Sequence, residues 1–311
     1  MILDYLEIAL PLSKDNVNFT YLERTAYYHS SDISQYQLRG NWSPMKIVVN
    51  PRKDEIILKG SIPFYYSGQN FSHSNQDFQN ALDVISNKTN LNWLNGSVRT
   101  FEAGVIIESA YKPDEIIHSH LSIEGMETNP WKHGRVFSNS TLDVKLYNAK
   151  HRTNKVCSLE LKKVMESKYG YNAKSNYTKF ENKYKKPSNH FLLQISTSDL
   201  CREPMQTLIK EDILLVYNSI KKSHCLQLPD KASAGEMSSA MIKDLCFISG
   251  MDPDQYTKQF MKSHSVKQSL NTTDRKNRNR TLKTWANKIQ GSNESQYDLS
   301  KLIAEKLDSS S

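Results

Sequence analysis

The stretch STLDVKLYNAK, residues 140–150, alternates: Leu142, Val144 and Leu146 fall on one side, and Asp143, Lys145 and Tyr147 on the other. That is the pattern of a half-buried strand. Tyr147 therefore shares a wet face with an acid and a base, and two readings are open. It can be a packed strand tyrosine, one of 16 tyrosines in the chain, or a nucleophile toward a phosphodiester. A phenol titrates near pH 10 in its reference state, so the second role needs a nearby cation for the phenolate and charge neutralisation on the phosphate oxygens. Lys145 or Lys150 could touch such a phosphate. Glu102 in VRTFEAGVIIE and Glu160 in VCSLELKKV, if their strands neighbour that of Tyr147, could hold one Mg²⁺ or Mn²⁺ between them.

The charge balance narrows the partner. The net charge is +8 and the pI about 9.1, which favours a polyanion, with nucleic acid before an acidic membrane. Between Lys145 and Lys186 stand twelve Lys or Arg against three Glu, with Tyr147, Tyr169, Tyr171, Tyr177 and Tyr184 among them. Cations for phosphates and aromatic faces for bases are the two ingredients of single-strand binding, each stacked base contributing roughly 1–3 kcal/mol; a solvated charged loop is the alternative. A second basic cluster, Lys262 to Lys288, is opposed only by Asp274. Its Arg275, Arg278 and Arg280 are candidate contacts to duplex phosphates.

Positioning such groups requires a sheet. DYLEIAL near the start alternates as a first strand, and MKIVVN and DEIILKGSI flank the turn PRK as an antiparallel hairpin. SNQDFQNALDVIS places Phe78, Ala81, Leu82 and Ile85 at helical spacing behind a Ser74 or Asn75 cap. VRTFEAGVIIE is a strand, KPDEIIHSHLS opens like a helix, GRVFSNS pairs with the Tyr147 strand as a second hairpin, and VCSLELKKV is a further strand. The fold class is α+β, an antiparallel sheet with helices on one face. The open face carries Glu102, Asp143, Lys145, Tyr147, Glu160 and Lys162. Residues 1–165 form this domain, 166–190 a basic tyrosine-rich linker, and 191–311 an all-α module with helical periods and a turn at GMDPD.

The four blocks of residues 45–164 resemble the rolling-circle replication initiators of filamentous phages and their relatives in phages and plasmids of Bacteroidetes. KGSIPFYYSGQN, Lys59 to Asn70, is similar to that family's first block and includes Gly68 and Asn70. TFEAGVIIE matches its acidic strand at Glu102, RVFSNSTLDVKLYNAK its tyrosine hairpin at Tyr147, and SLELK its RFExR strand at Glu160. Thr100 and Ser158 replace two arginines of the pattern, Ala149 replaces a lysine that recurs one position later as Lys150, and Gln69 replaces a histidine.

The resemblance implies an endonuclease and strand transferase. Tyr147 would attack the origin strand and keep a 5′-phosphotyrosyl link, which a later transesterification rejoins without ATP; no GxxxxGK[ST] loop is present. Lys59, Gly68, Asn70 and Lys162 would contact DNA, single-stranded and origin duplex DNA would be the partners, and a host helicase and polymerase would extend the free 3′ end. A DNA-binding replication-control protein without chemistry and a metal-dependent hydrolytic nuclease are the alternatives. Asp4 and Glu7 stand where a signal peptide would be basic, no apolar run reaches about 18 residues, and the four cysteines form no CxxC pair, so a bacterial cytoplasm is expected. His118 and His120 read as surface residues of a helix. His133 and His151 lie near enough in sequence to assist proton transfer.

Overall fold

The hairpin expected around PRK is present: β4 (Met45–Asn50) and β5 (Glu55–Ser61) pair antiparallel about a short 3₁₀ turn. Asp54 closes that turn in the left-handed conformation, at φ 48°, which Asp tolerates better than most side chains. In the computed structural model the described residues are 1–12, 17–29, 31–40, 42–223, 225–226, 271–288, 291–292 and 297–309, with isolated positions between 233 and 262.

One ten-stranded antiparallel sheet dominates. Besides β4 and β5 it contains β1 (Ile2–Pro11), β2 (Leu22–Tyr28), β3 (Ile33–Leu38), β6 (Ser97–Ser109), β8 (Glu127–Trp131), β9 (Gly134–Ser138), β10 (Leu142–Asn148) and β11 (Asn176–Tyr184), in the order β2-β3-β4-β5-β1-β6-β11-β10-β9-β8. The polar segment before Arg39, which has no clear period, forms the strands β2 and β3 at one edge. After β5 come α1 (Ile62–Ser67) and α2 (Asn75–Thr89). Ser74 caps α2 in a capping box with Asp77, and Phe78, Ala81, Leu82 and Ile85 are its buried stripe.

Strand β11 overturns the expected linker. Residues 176–184 lie between β6 and β10, with Thr178 opposite Ile107 and Phe180 opposite Val105 on one side, and Lys179 opposite Tyr147 and Glu181 opposite Lys145 on the other. Tyr171, Tyr177 and Tyr184 are buried and present no face on which a base could stack. The segment expected as a final strand is helical: α4 (Ala149–Val156) and α5 (Leu159–Tyr169), with Ser158 capping the second. The alternation of Cys157, Leu159 and Leu161 misleads, because Leu159 is 73% exposed while Leu161 and Met165, four apart, are buried as a helix face requires.

Register divides β6 and β11 into two faces. Phe101, Ala103 and Val105 lie with Tyr184, Asn182 and Phe180. On this face Phe101 stacks on Tyr184 (4.6 Å), Tyr184 packs on Phe191 of α6 (Pro187–Phe191, 5.0 Å), and Phe180 packs on Tyr217 of α8 (Glu203–Asn218, 5.1 Å). A Phe withdrawn fully from water contributes about 1.5–3 kcal/mol. Helix α7 (Thr197–Leu200) joins this layer, and Asn75 of α2 donates to the Cys201 carbonyl beside it (2.9 Å). The opposite face carries Glu102, Gly104 and Ile106 with Lys183, Glu181 and Lys179. At its far end Ile2, Ile106 and Tyr177 form an apolar cluster with Ala149, Cys157, Leu161 and Met165. Helices therefore lie against both faces, and the polar residues occupy the gap that α4 and α5 leave.

The chain divides into two compact units: Met1–Ile117 with Ile123–Ser219 and Leu299–Ser311, and His118–Ser122 with Ile220–Asp298. The first unit thus extends beyond residue 165, taking in α6, α7, α8 and α10 (Ser300–Asp308). In the second, β7 (His120–Ser122) pairs with β12 (Lys221–Lys222), β13 (Cys225–Leu226) pairs with β14 (Gly291–Ser292), and α9 spans Thr272–Lys288. The helices expected over GEMSSAMIKDLCFIS and DPDQYTKQFMK fall largely outside the described residues.

Candidate functional site

The polar face converges on three carboxylates. Asp4 of β1, Glu102 of β6 and Glu181 of β11 each offer an oxygen within 4.8 Å of the others, and all three are buried. Asp4 reaches this face where β1 departs from regular pairing with β6, between Leu3 and Leu6; such an irregularity re-aims a side chain. Gly104 stands directly opposite Glu181. A Cβ there would lie 2.3 Å from the Phe180 carbonyl oxygen and 2.6 Å from the Glu181 Cβ, so only glycine lets the two strands approach with Glu181 in place.

Two lysines thread the carboxylates together. Lys179, 1% exposed, donates to Asp4 Oδ2 and Glu181 Oε2, both at 2.7 Å. Lys145 donates to Glu102 Oε1 at 2.8 Å and Glu181 Oε1 at 3.1 Å, and Lys183 stands 3.5 Å from Glu102. Asp4 also accepts from Ser61 Oγ and, at 2.6 Å, from Asn70 Nδ2.

Burial alone would push the Asp4 carboxyl up, yet Lys179, Ser61 and Asn70 hold it down at about 2. Glu181 is likewise lowered against its burial by Lys179 and Lys145, whereas Glu102 is raised, by burial first and by the Glu181 charge second. Burial opposes the charge on both lysines, but the carboxylates raise them. Glu102 is thus the carboxyl that takes up a proton most readily, and Asp4 and Glu181 are the two that stay ionised.

Tyr147 is part of this network. Its hydroxyl donates to Glu181 Oε2 at 3.2 Å, and its ring lies 5.8 Å from the Arg152 guanidinium and 5.9 Å from Lys179 Nζ. It is 6% exposed, and burial, then the Glu181 charge, push its ionisation up. A small pocket of about 10 Å³ adjoins it, lined among others by Asn70, Arg152 and Lys179, which is room for one water. The resting group is a phenol with an acceptor in place and two cations beside its ring.

Glu102, Lys145 and Tyr147 are brought together as the alternation of β10 and β6 requires, and Asn70 joins them through Asp4. Glu160 is corrected: it is an exposed residue in the first turn of α5, outside the carboxylate cluster, and Lys162 on the same helix only reaches the Asn154 carbonyl at 3.5 Å. Lys150 lies in the first turn of α4, with no hydrogen bond or ion pair to the cluster among the described residues. Gly68 closes α1 at φ 75°, where a Cβ would meet the Trp42 ring at 2.5 Å, a structural duty. Lys59, on β5, stands in register with Glu7 and Lys46, two residues before the Ser61 that bonds Asp4.

Arg278 and Arg280 are exposed on α9 in the other unit, and the Arg275 side chain lies outside the described residues. His120 is corrected as well: it is fully buried in β7, its Nδ1 3.1 Å from Ser119 Oγ, while His118 is exposed on α3 (Pro113–Ser119), the helix expected over KPDEIIHSHLS. His133 and His151 stack on each other at 3.9 Å, and His133 Nδ1 lies 3.8 Å from Asp114.

Sequence reasoning missed Asp4, Arg152, Lys179 and Glu181. The signal for the last two was present in KFENK, residues 179–183: it has the basic-Phe-acid-x-basic spacing of the RFExR block more closely than SLELK does. Asp4 carries no comparable signal. The oxygen-only donor set suits a hard dication such as Mg²⁺ or Mn²⁺, and Asp4, Glu102 and Glu181 are the residues that could hold one. The dication and the two ammonium groups would compete for the same oxygens. Among the described residues no helix is long and apolar enough to cross a membrane. Compared with known proteins, the chain matches no family model, no curated protein and no solved structure.

Proposed function

We propose that the chain is a DNA strand transferase that initiates rolling-circle replication, with Tyr147 as nucleophile. The observation that carries this reading is the Tyr147–Glu181 hydrogen bond set between Lys179 and Arg152 at the edge of a carboxylate cluster. The Tyr147 oxygen attacks phosphorus while its proton passes to Glu181. The bond to the 3′ oxygen breaks, and that oxygen leaves as a hydroxyl protonated from solvent. The product is a 5′-phosphotyrosyl link, and the reverse attack by a 3′-hydroxyl rejoins the strand with no net loss of phosphodiester energy. Lys179 and Arg152 stabilise the phenolate character and the phosphate charge. A dication held by Asp4, Glu102 and Glu181 would supply further charge neutralisation. The one-water pocket implies that α4 moves aside when a strand enters.

The deciding experiment incubates the protein and Tyr147→Phe with Mn²⁺ and labelled single strands tiling the origin-bearing replicon, followed by a denaturing gel. A labelled protein band that Tyr147→Phe loses supports the reading, and cleavage without a band overturns it. The carboxylate triad on its own favours a second reading, hydrolysis by metal-activated water. That reading predicts cleavage without a protein-linked product, undiminished in Tyr147→Phe.

A further inference from the structure

The irregularity in β1 that brings Asp4 to the cluster also turns its neighbour. Leu3 and Leu6 are buried opposite Ala103 and Phe101, on the helix-covered face, so Asp4 and Tyr5 between them both project onto the other. The half-buried Tyr5 ring lies there with Lys183 Nζ 4.8 Å from its centre. Its hydroxyl makes no hydrogen bond among the described residues. Burial, then the charges of Glu7 and Glu102, push its ionisation up to about 12, so the ring is neutral at pH 7.

Beyond Tyr5 the same face continues over β5 and β4. Glu7 stands opposite Thr100, two residues before Glu102; it also stands opposite Lys59 of β5, which in turn stands opposite Lys46 of β4. Like charges directly opposite each other in a sheet are destabilising. Although Glu7 is in register with Lys59, neither ammonium has an ion-pair partner among the described residues. Lys46 is exposed and Lys59 partly so. Two lysines held side by side without a counter-ion on an accessible face favour a ligand with repeated negative charge.

These groups form a line that leads to the nucleophile. From the Tyr147 strand the cations step across the sheet as Lys145 on β10, Lys183 on β11, Lys59 on β5 and Lys46 on β4, with the Tyr5 ring between the second and the third. β10 and β4 are five strand spacings apart in the sheet order, roughly 24 Å, which suits a single strand of several nucleotides. A duplex suits it less, because its bases are stacked on one another and leave no face for Tyr5. We propose that the face of β1, β5 and β4 holds the single DNA strand flanking the phosphate at Tyr147, with Lys59 and Lys46 on its phosphates and one base stacked on Tyr5. This inference rests on the strand-transferase reading for the identity of its ligand.

Its test measures binding without cleavage and so fails independently of that reading. In EDTA, a fluorescein-labelled single strand of about 20 nucleotides is titrated with the full chain at several salt concentrations and followed by anisotropy. Lys46→Gln with Lys59→Gln should weaken binding and make the logarithmic salt slope shallower by about 1.4, at roughly 0.7 per phosphate contact on a single strand. Lys163→Gln with Lys168→Gln, two exposed lysines of α5 whose loss gives the same net charge, should leave the slope unchanged. Tyr5→Leu should weaken single-strand binding about five-fold or more, the smallest effect of one stacked base, without changing the slope, and Tyr5→Phe should bind as the parent does. The proposal is overturned if the parent does not bind the single strand, if both lysine pairs give the same slope, or if Tyr5→Leu weakens duplex binding as much as single-strand binding. An adduct band lost in Tyr147→Phe together with an unchanged slope would sink this line and leave the nucleophile standing; a shallower slope with no band would do the reverse.

Discussion

Lys179→Met removes the cation that Asp4 and Glu181 share and leaves a chain of similar volume. Breaking a buried ion pair from one side costs about 3–5 kcal/mol, because the stranded charge keeps its desolvation penalty. Here two carboxylates are stranded, and among the described residues only Glu181 retains a lysine, Lys145. The loss should therefore reach the upper end of that range at pH 7.

The pH dependence identifies the cause. In the parent chain Asp4 is held at about 2 against 3.8 for an unhindered carboxyl. It thus contributes about 2 kcal/mol that is fully present above pH 4 and lost as pH falls toward 2. Without Lys179, burial and the Glu181 charge raise the Asp4 carboxyl in the folded state, so the variant loses stability as pH rises from 4. The gap between parent and variant should be widest at neutral pH and narrow steadily as pH falls, from 7 to 4 through the variant's recovery and below 4 through the parent's loss. Urea unfolding followed by circular dichroism at pH 7, 5, 4 and 3 measures it. A gap below about 1 kcal/mol at pH 7, or one that is constant with pH, would refute the assignment of Lys179 as the counter-ion.

Other outcomes follow from the same geometry. Lys145→Met should tighten Mn²⁺ binding by about ten-fold or more in a paramagnetic titration, because an ammonium within about 4 Å of a cation at an effective dielectric near 20 repels it by roughly 4 kcal/mol per unit charge. Unchanged affinity would mean that the dication binds elsewhere. Gly104→Ala should lower stability by about 2 kcal/mol or more by thrusting a methyl into the Phe180 carbonyl, read as a fall in melting temperature. Glu160→Gln should leave adduct yield on the denaturing gel unchanged and cost at most about 1 kcal/mol, the charge contribution at the first turn of α5.

Which features were legible from sequence follows from how each segment pays its desolvation cost. Strands β1, β4, β5, β6 and β10 show alternating or continuous aliphatics, and α2 announces itself by the Ser74 cap and its apolar stripe. In β11 the apolar face is interrupted by Thr178 and Asn182, and the other face carries Lys179, Glu181 and Lys183. Their charges are compensated by residues on β1, β6 and β10, so nothing local distinguishes the strand from a basic loop. The same reason hid Asp4, whose partners lie 57, 66 and 175 residues away. Tyr147, Lys145 and Glu102 were legible because their own strands have clear periods. In the 157–164 stretch, a two-residue alternation over three residues outweighed the cap at Ser158, which was the better indicator.

The place of β11 in the sheet has a consequence for biosynthesis. β6 ends at Ser109 and β11 at Tyr184, so about 75 residues must be translated before the centre of the sheet can close, roughly 4–15 s at ribosomal rates. During that interval β6 exposes an open edge with Val105, Ile106 and Ile107 along it, while the meander β8-β9-β10 has no surface to join. An unpaired apolar edge is a template for pairing between nascent chains. The lysines and glutamate of the late strand then arrive with the segment that closes the edge, so sheet completion and assembly of the charged centre are one event. Folding should be slow and sensitive to chain concentration until residue 184 has emerged, and insensitive afterwards, as arrested nascent chains of graded length would show by their aggregation.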